Sequence, residues 1–141
     1  MTPALMALCL LTSHEQGLPA GLLTSVVLAE TSGRSVVARG RGKGGLGCDV
    51  GVAQIHIPGC RPEAVAAVLP VARNLVAAAR VLRWSRSWCS RRPSSKRCSD
   101  FRWFRYNPGS RTWSSKVRRI WGVIIKLAHS TRNPEESFHS G

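Results

Sequence analysis

The chain has 141 residues, with 21 Lys and Arg against 7 Asp and Glu, so its formal net charge is +14. That length suits one compact domain, and an apolar content of 43% excludes a merely disordered basic chain. No apolar run reaches the roughly 18–20 residues of a membrane-spanning helix, and the charge predicts attraction to polyanions without choosing among them.

The N-terminus reads as a helix, with Thr2 as N-cap, Pro3 at the first helical position, and Leu5, Leu8 and Leu11 on one face. It has no positive n-region and no small-x-small cleavage site, so it is not read as a signal peptide. Residues 12–17 are a polar connector. A second helix is predicted over 19–32, with Pro19 at its start and Gly33 just past its end. Its apolar stripe is Leu22, Leu23, Val26, Val27 and Ala29. Glu30 follows Val26 and Val27 at i+4 and i+3 and therefore projects from the apolar side.

From Gly33 to Cys60 the helical period disappears. Six glycines between Gly40 and Gly51 predict a loop or a small irregular sheet, with a short strand or helical turn at 52–57. A short helix is expected over 62–69. Pro70 breaks it and opens a longer one over 71–88, which buries Val71, Leu75, Ala78, Ala79 and Leu82. Arg73, Arg80 and Arg83 form a basic stripe on another face of that helix. Residues 85–100 are rich in Ser, Arg and Pro and read as loop. An aromatic cluster at 101–106 ends in the turn Asn107-Pro108-Gly109. A last helix is predicted over 112–128, with Trp113, Val117, Ile120, Trp121 and Ile124 on one side. The sum is an α+β domain, mainly α, of five or six helices around a Gly-rich irregular or small β segment. It would occupy residues 1–129, with 130–141 a flexible tail.

Five cysteines occur, with no CxxC pair and no His at zinc-finger spacing, so no metal site is expected. Cys48 and Cys60 bracket the end of the Gly-rich segment, and Cys89 and Cys98 bracket a polar stretch. The pairs 48–60 and 89–98 are the natural disulfide hypothesis, leaving Cys9 over; five reduced thiols are the alternative. The four His lack HExxH spacing, and neither a Gly-x-Ser-x-Gly elbow nor a P-loop is present.

With so few acids, Glu30 asks for a reason. A carboxylate on an apolar face loses hydration, which raises its pKa and lets it hold a proton for general-acid work. The competing reading is an exposed or arginine-paired Glu at a helix end, where the dipole disfavours negative charge.

Four segments resemble the lytic transglycosylase domain of the lysozyme-like superfamily. The first is the helix ending Ala29-Glu30-Thr31-Ser32-Gly33. The second is Gly51-Val52-Ala53-Gln54-Ile55 with Pro58. The third is Asn74-Leu75 opening a helix, and the fourth is Tyr106-Asn107-Pro108-Gly109. Their order and separations fit that family over about residues 1–128. Thr31 stands where the family has Ser, Ala53 where Met is common, and Arg105 where a small residue precedes the Tyr.

The resemblance implies a lysozyme-like fold and cleavage of peptidoglycan between its two amino sugars, leaving a 1,6-anhydro end. Glu30 would be the single acid and base. Gln54, Tyr106, Thr31, Ala53 and Asn107 would contact substrate, with Tyr106 orienting Glu30; Asn74 and Asn107 would support them. No cofactor and no metal are implied. The partner would be the glycan strand, met at the periplasm or cell wall by a monomer that needs neither nucleic acid nor a membrane span. With no recognisable signal peptide, delivery would fall to phage lysis, a virion or a secretion system, or the chain is truncated. Two alternatives stand beside this. If Asp49 faced Glu30 it could activate a water, giving a hydrolysing, goose-type-like lysozyme (muramidase). The interleaved Arg and Trp of 83–113 could instead make a non-catalytic polyanion or nucleic-acid-binding module.

Overall fold

The computed structural model describes residues 1–132. Six helices are present among them: α1 (Pro3–Glu15), α2 (Leu22–Glu30), α3 (Pro62–Val68), α4 (Val71–Ser90), α5 (Lys96–Asp100) and α6 (Arg111–Arg132). A three-stranded antiparallel sheet lies between α2 and α3, formed in sequence order by β1 (Val37–Arg41), β2 (Gly47–Val50) and β3 (Ile55–Ile57). The class is α+β, mainly α. No single helix among the described residues is long and apolar enough to cross a membrane.

Thr2 caps α1 as expected, its Oγ1 accepting from the Leu5 amide at 3.2 Å. The buried side of α1 differs from the expected leucine line. Leu5, Cys9, Thr12 and Ser13 face the core, whereas Leu11 is 53% exposed. A repeat of exactly three residues drifts around a helix of 3.6 residues per turn, so Leu5, Leu8 and Leu11 cannot share one face for long. Burial pushes the Cys9 thiol up to about 11, which keeps it protonated.

α2 is shorter than its apolar pattern. It starts at Leu22 rather than Pro19, because Gly21 adopts φ +84° ahead of it. A Cβ there would come within 2.8 Å of Ile124 Cγ2, so glycine also lets α6 approach α2 closely. α2 ends at Glu30 rather than Ser32. Thr31 leaves the helical region at φ −139°, ψ −4°, Ser32 has φ 56°, and the Thr31 hydroxyl accepts from the Gly33 amide.

Residues 85–100 are not the expected loop. α4 continues to Ser90, and α5 follows at Lys96–Asp100. The buried series Leu75, Ala78, Ala79, Leu82 simply extends to Ser85 and Cys89. Ser85 is tolerated inside because its Oγ donates to the Arg102 carbonyl and accepts from the Arg105 amide. α6 also outruns its expected span and includes residues 130–132 of the expected tail. The remainder of that expected tail, 133–141, lies outside the described residues.

Two hydrophobic clusters form. The larger joins Leu22, Leu23, Val26 and Val27 of α2 to Leu75, Ala78, Ala79 and Leu82 of α4 and to Val117 of α6. The smaller lies under one face of the sheet, where Cys48, Val50 and Ile57 meet Ala64, Val65 and Val68 of α3. Disulfides join Cys48 to Cys60 and Cys89 to Cys98, and Cys9 is free.

The turn between β2 and β3 is fixed from α4. The Asn74 carboxamide is fully buried; its Oδ1 accepts from the Ala53 amide, and its Nδ2 donates to the Val50 and Val68 carbonyls, each at 2.8 Å. Gly51, at φ +83°, lies against this carboxamide, which a Cβ would overlap. Asn74→Ala removes three hydrogen bonds to backbone groups. It is expected to cost about 3 kcal/mol or more, seen as a lower urea midpoint at unchanged slope.

Candidate active site

Glu30 is the last residue of α2 and is half-buried. Its Oε1 accepts from the indole Nε1–H of Trp113 at 2.7 Å. Trp113 sits in the first turn of α6 and is itself buried. A buried indole N–H needs an acceptor, and the acid at the end of α2 supplies one. Lys116, one turn along α6, donates to the Ala29 carbonyl at 3.1 Å. This places a cation at the C-terminus of α2, where the helix dipole favours it.

Loss of hydration raises the Glu30 pKa and is the largest influence on it. The Trp113 hydrogen bond works against this, the Asp49 charge adds to it, and Lys116 opposes it. The net direction is upward, so Glu30 holds its proton more tightly than a free glutamic acid does.

Tyr106 lies in a 3-10 turn at Phe104–Tyr106 and stacks on Trp113, with ring centroids 5.3 Å apart and planes 7° from parallel. Its hydroxyl donates to the Ala53 carbonyl and not to Glu30. The role expected of Tyr106, orienting the acid, therefore falls directly to Trp113. Tyr106 acts one layer further back by fixing the Trp113 ring. Burial first, then the charges of Glu30 and Asp49, hold its phenol well above the ordinary value, so it stays a donor.

The other candidate residues divide by what they touch. Ala53 is fully buried with both amide groups committed to Asn74 and Tyr106, so it supports the site from beneath and offers no surface to a ligand. The Thr31 hydroxyl donates to the Val52 carbonyl at 2.7 Å and so ties the end of α2 to the same turn. Gln54, at φ 55°, spends its Nε2 on the Val36 and Gly51 carbonyls at 3.0 Å each. Asn107 lines a cavity of about 660 Å3 together with Ala29, Trp113 and Lys116. The cavity is lined by the neighbours of Glu30 and not by Glu30 itself.

Asp49 is close enough to affect both Glu30 and Tyr106. It pairs across the strands with His56, whose Nδ1 lies 2.8 Å from Asp49 Oδ1. The residues alternate along β2, so Asp49 and His56 occupy the sheet face opposite the Cys48–Val50 cluster. Sequence reasoning did not single out His56, Lys116 or the polar role of Trp113. For Trp113 a signal existed: a core indole without an evident acceptor. His56 became visible only through strand register. Among the described residues, no three His, Cys, Asp or Glu side chains cluster as metal ligands do.

Comparisons with family models, curated proteins and solved structures give no match. The chemistry of the site thus rests on its own geometry.

A raised carboxyl pKa has a stability consequence of fixed sign. The folded state holds the Glu30 proton to higher pH than the unfolded chain does. Its contribution is complete below the ordinary carboxyl range and is lost as pH rises through the raised value. Glu30→Gln keeps an acceptor for Trp113 but carries no charge. Its Tm is expected to match the parent near about pH 3 and to exceed it at about pH 8, as calorimetry would show.

Proposed function

We propose that this protein cleaves the glycan strand of peptidoglycan as a lytic transglycosylase, with Glu30 as its single acid and base. The observation that carries the reading is the Glu30–Trp113 pair. It is a partly desolvated carboxyl with raised proton affinity, held by one directional donor, beside a cavity of about 660 Å3 lined by its neighbours. Such a group can give a proton to the glycosidic oxygen as the bond to the anomeric carbon breaks. The resulting carboxylate then takes the proton of the sugar's own 6-hydroxyl, whose oxygen bonds to the anomeric carbon. The acid is regenerated, a 1,6-anhydro ring is formed, and no water is used.

Further support comes from the placement of the four resembling segments. Glu30, the turn around Ala53, Asn74 and Tyr106 are linked by hydrogen bonds or ring stacking around one locus. A non-catalytic polyanion binder would gain nothing from a desolvated acid at the centre of such an arrangement.

Asp49 favours a second reading. A carboxylate near Glu30 and fixed by His56 could act as base toward a water, which would make the enzyme a muramidase. Mass spectrometry of digested walls separates the two, since anhydro ends mark the transglycosylase and reducing ends the muramidase. In either case Glu30→Gln is expected to fold and to lose clearing of purified walls by about a thousandfold or more. Retained clearing in that variant removes Glu30 from the chemistry.

Trp113 provides a finer measurement. Its N–H stabilises the ionised form of Glu30, so Trp113→Phe is expected to move the alkaline limb of the pH–rate profile to higher pH. A packing role alone would slow the enzyme without moving that limb.

A further inference from the structure

A second cavity, of about 750 Å3, lies on the outer face of α4. Arg80, Arg83, Arg86 and Arg102 line it together with Trp84 and two serines, and no acid does. Arg80, Arg83 and Arg86 recur every three residues, so their Cα atoms span about 9 Å of helix axis. Arg73, the first member of the stripe legible in the sequence, does not line the cavity.

Two of these arginines are held in place by neutral acceptors. Arg83 Nη1 donates to Gln16 Oε1 at 3.2 Å, and Arg86 Nη1 donates to the Gly17 carbonyl at 3.1 Å. No carboxylate neutralises any of the four, and the one ion pair among the described residues is Asp49 with His56. Fixed guanidiniums of uncompensated charge around a concavity match a ligand that carries several anionic oxygens in series.

The aromatic residues nearby are partly taken up by the protein's own arginines. The Arg105 guanidinium lies 4.9 Å from the Trp84 ring centre and 4.5 Å from that of Trp88. Arg92 is 3.8 Å from Trp88, and Arg86 is 5.5 Å from Trp103. Trp103 is buried and Trp88 is flanked by two arginines, whereas Trp84, 47% exposed, keeps ring surface open at the cavity. Charge therefore dominates the recognition, and a chain of phosphodiesters supplies anionic oxygens in series to match the arginines.

We infer that the α4 cavity binds the phosphodiester backbone of an anionic polyol-phosphate wall polymer, apart from the cavity beside Glu30. The choice of a wall polymer as the source rests on the wall-cleaving reading above, whereas the anion site itself does not.

The test is binding of purified poly(glycerol phosphate) to the full chain across a salt series. Arg80→Gln/Arg83→Gln/Arg102→Gln is compared with Arg73→Gln/Arg118→Gln/Lys126→Gln, which removes the same charge elsewhere. The first triple is expected to bind about tenfold more weakly or worse, with a shallower salt slope, and the second to stay within about threefold of the parent. Equal losses in both would reduce the effect to net charge and overturn the inference. Tighter binding of single-stranded or duplex DNA, at equal phosphate concentration and with the same sensitivity to the first triple, would overturn the assigned occupant. If the triple fails to fold, Arg102→Gln alone serves, because its exposed side chain makes no hydrogen bond; it should weaken binding by about threefold or more. Glu30→Gln should bind the polymer like the parent. A failure of the cleavage reading would therefore show in wall clearing alone, and a failure of this site in binding alone.

Discussion

The backbone of residues 50–53 is buried, and a buried peptide group without a partner is costly. Meeting that constraint organises the molecule. Three side chains from three elements converge on this stretch: the Thr31 hydroxyl on the Val52 carbonyl, the Asn74 carboxamide on Val50 and Ala53, and the Tyr106 hydroxyl on the Ala53 carbonyl. Each bond is modest alone, but together they lock the end of α2, the start of α4 and the 104–106 turn to the sheet. Glu30 precedes Thr31, and Trp113 stacks on Tyr106, so the same bonds determine where the acid and its donor meet.

Opposing influences set the state of that acid. Burial beneath α6 strips water from the carboxyl and favours its neutral form, and Asp49 pushes the same way. Trp113 and Lys116 stabilise the ion. A group balanced in this manner can lose and regain a proton without large reorganisation around it, which acid–base catalysis by a single carboxyl requires. Removing either the desolvation or the indole donor would spoil the balance in opposite directions.

The positive charge has a different structural meaning from the one its sequence pattern suggests. Arg and Trp alternate through 83–113, as they do in nucleic-acid binders. In the folded chain much of that alternation is internal, with guanidiniums lying over indoles and the Phe104 ring. The stacking orders the α4–α5 region, which the Cys89–Cys98 disulfide also closes. The arginines that remain at the α4 cavity are free of carboxylates because the chain has so few. Scarcity of acids thus shapes both places: Glu30 stands without a basic side chain bonded to it, and the guanidiniums of α4 stand without carboxylates.

Local patterns in the sequence were enough for the helical class, the cap at Thr2 and the break at Pro70, because each depends on residues near one another in the chain; they offered the two disulfide pairs only beside a reduced alternative, and the structure forms both. The same patterns placed Glu30 on an apolar face. They misjudged α1, where leucines three apart mimic a stripe, and residues 85–100, where buried Ser85 looks like loop composition until its partners at Arg102 and Arg105 are known. Contacts between distant segments lay beyond their reach. That Trp113 rather than Tyr106 holds the acid, that Ala53 is sealed beneath the site, and that Asp49 meets His56 follow from packing and strand register. Those relations join residues up to 83 positions apart. Chain-local propensity carries no information about which distant donor will satisfy a buried acceptor; only the assembled core decides it.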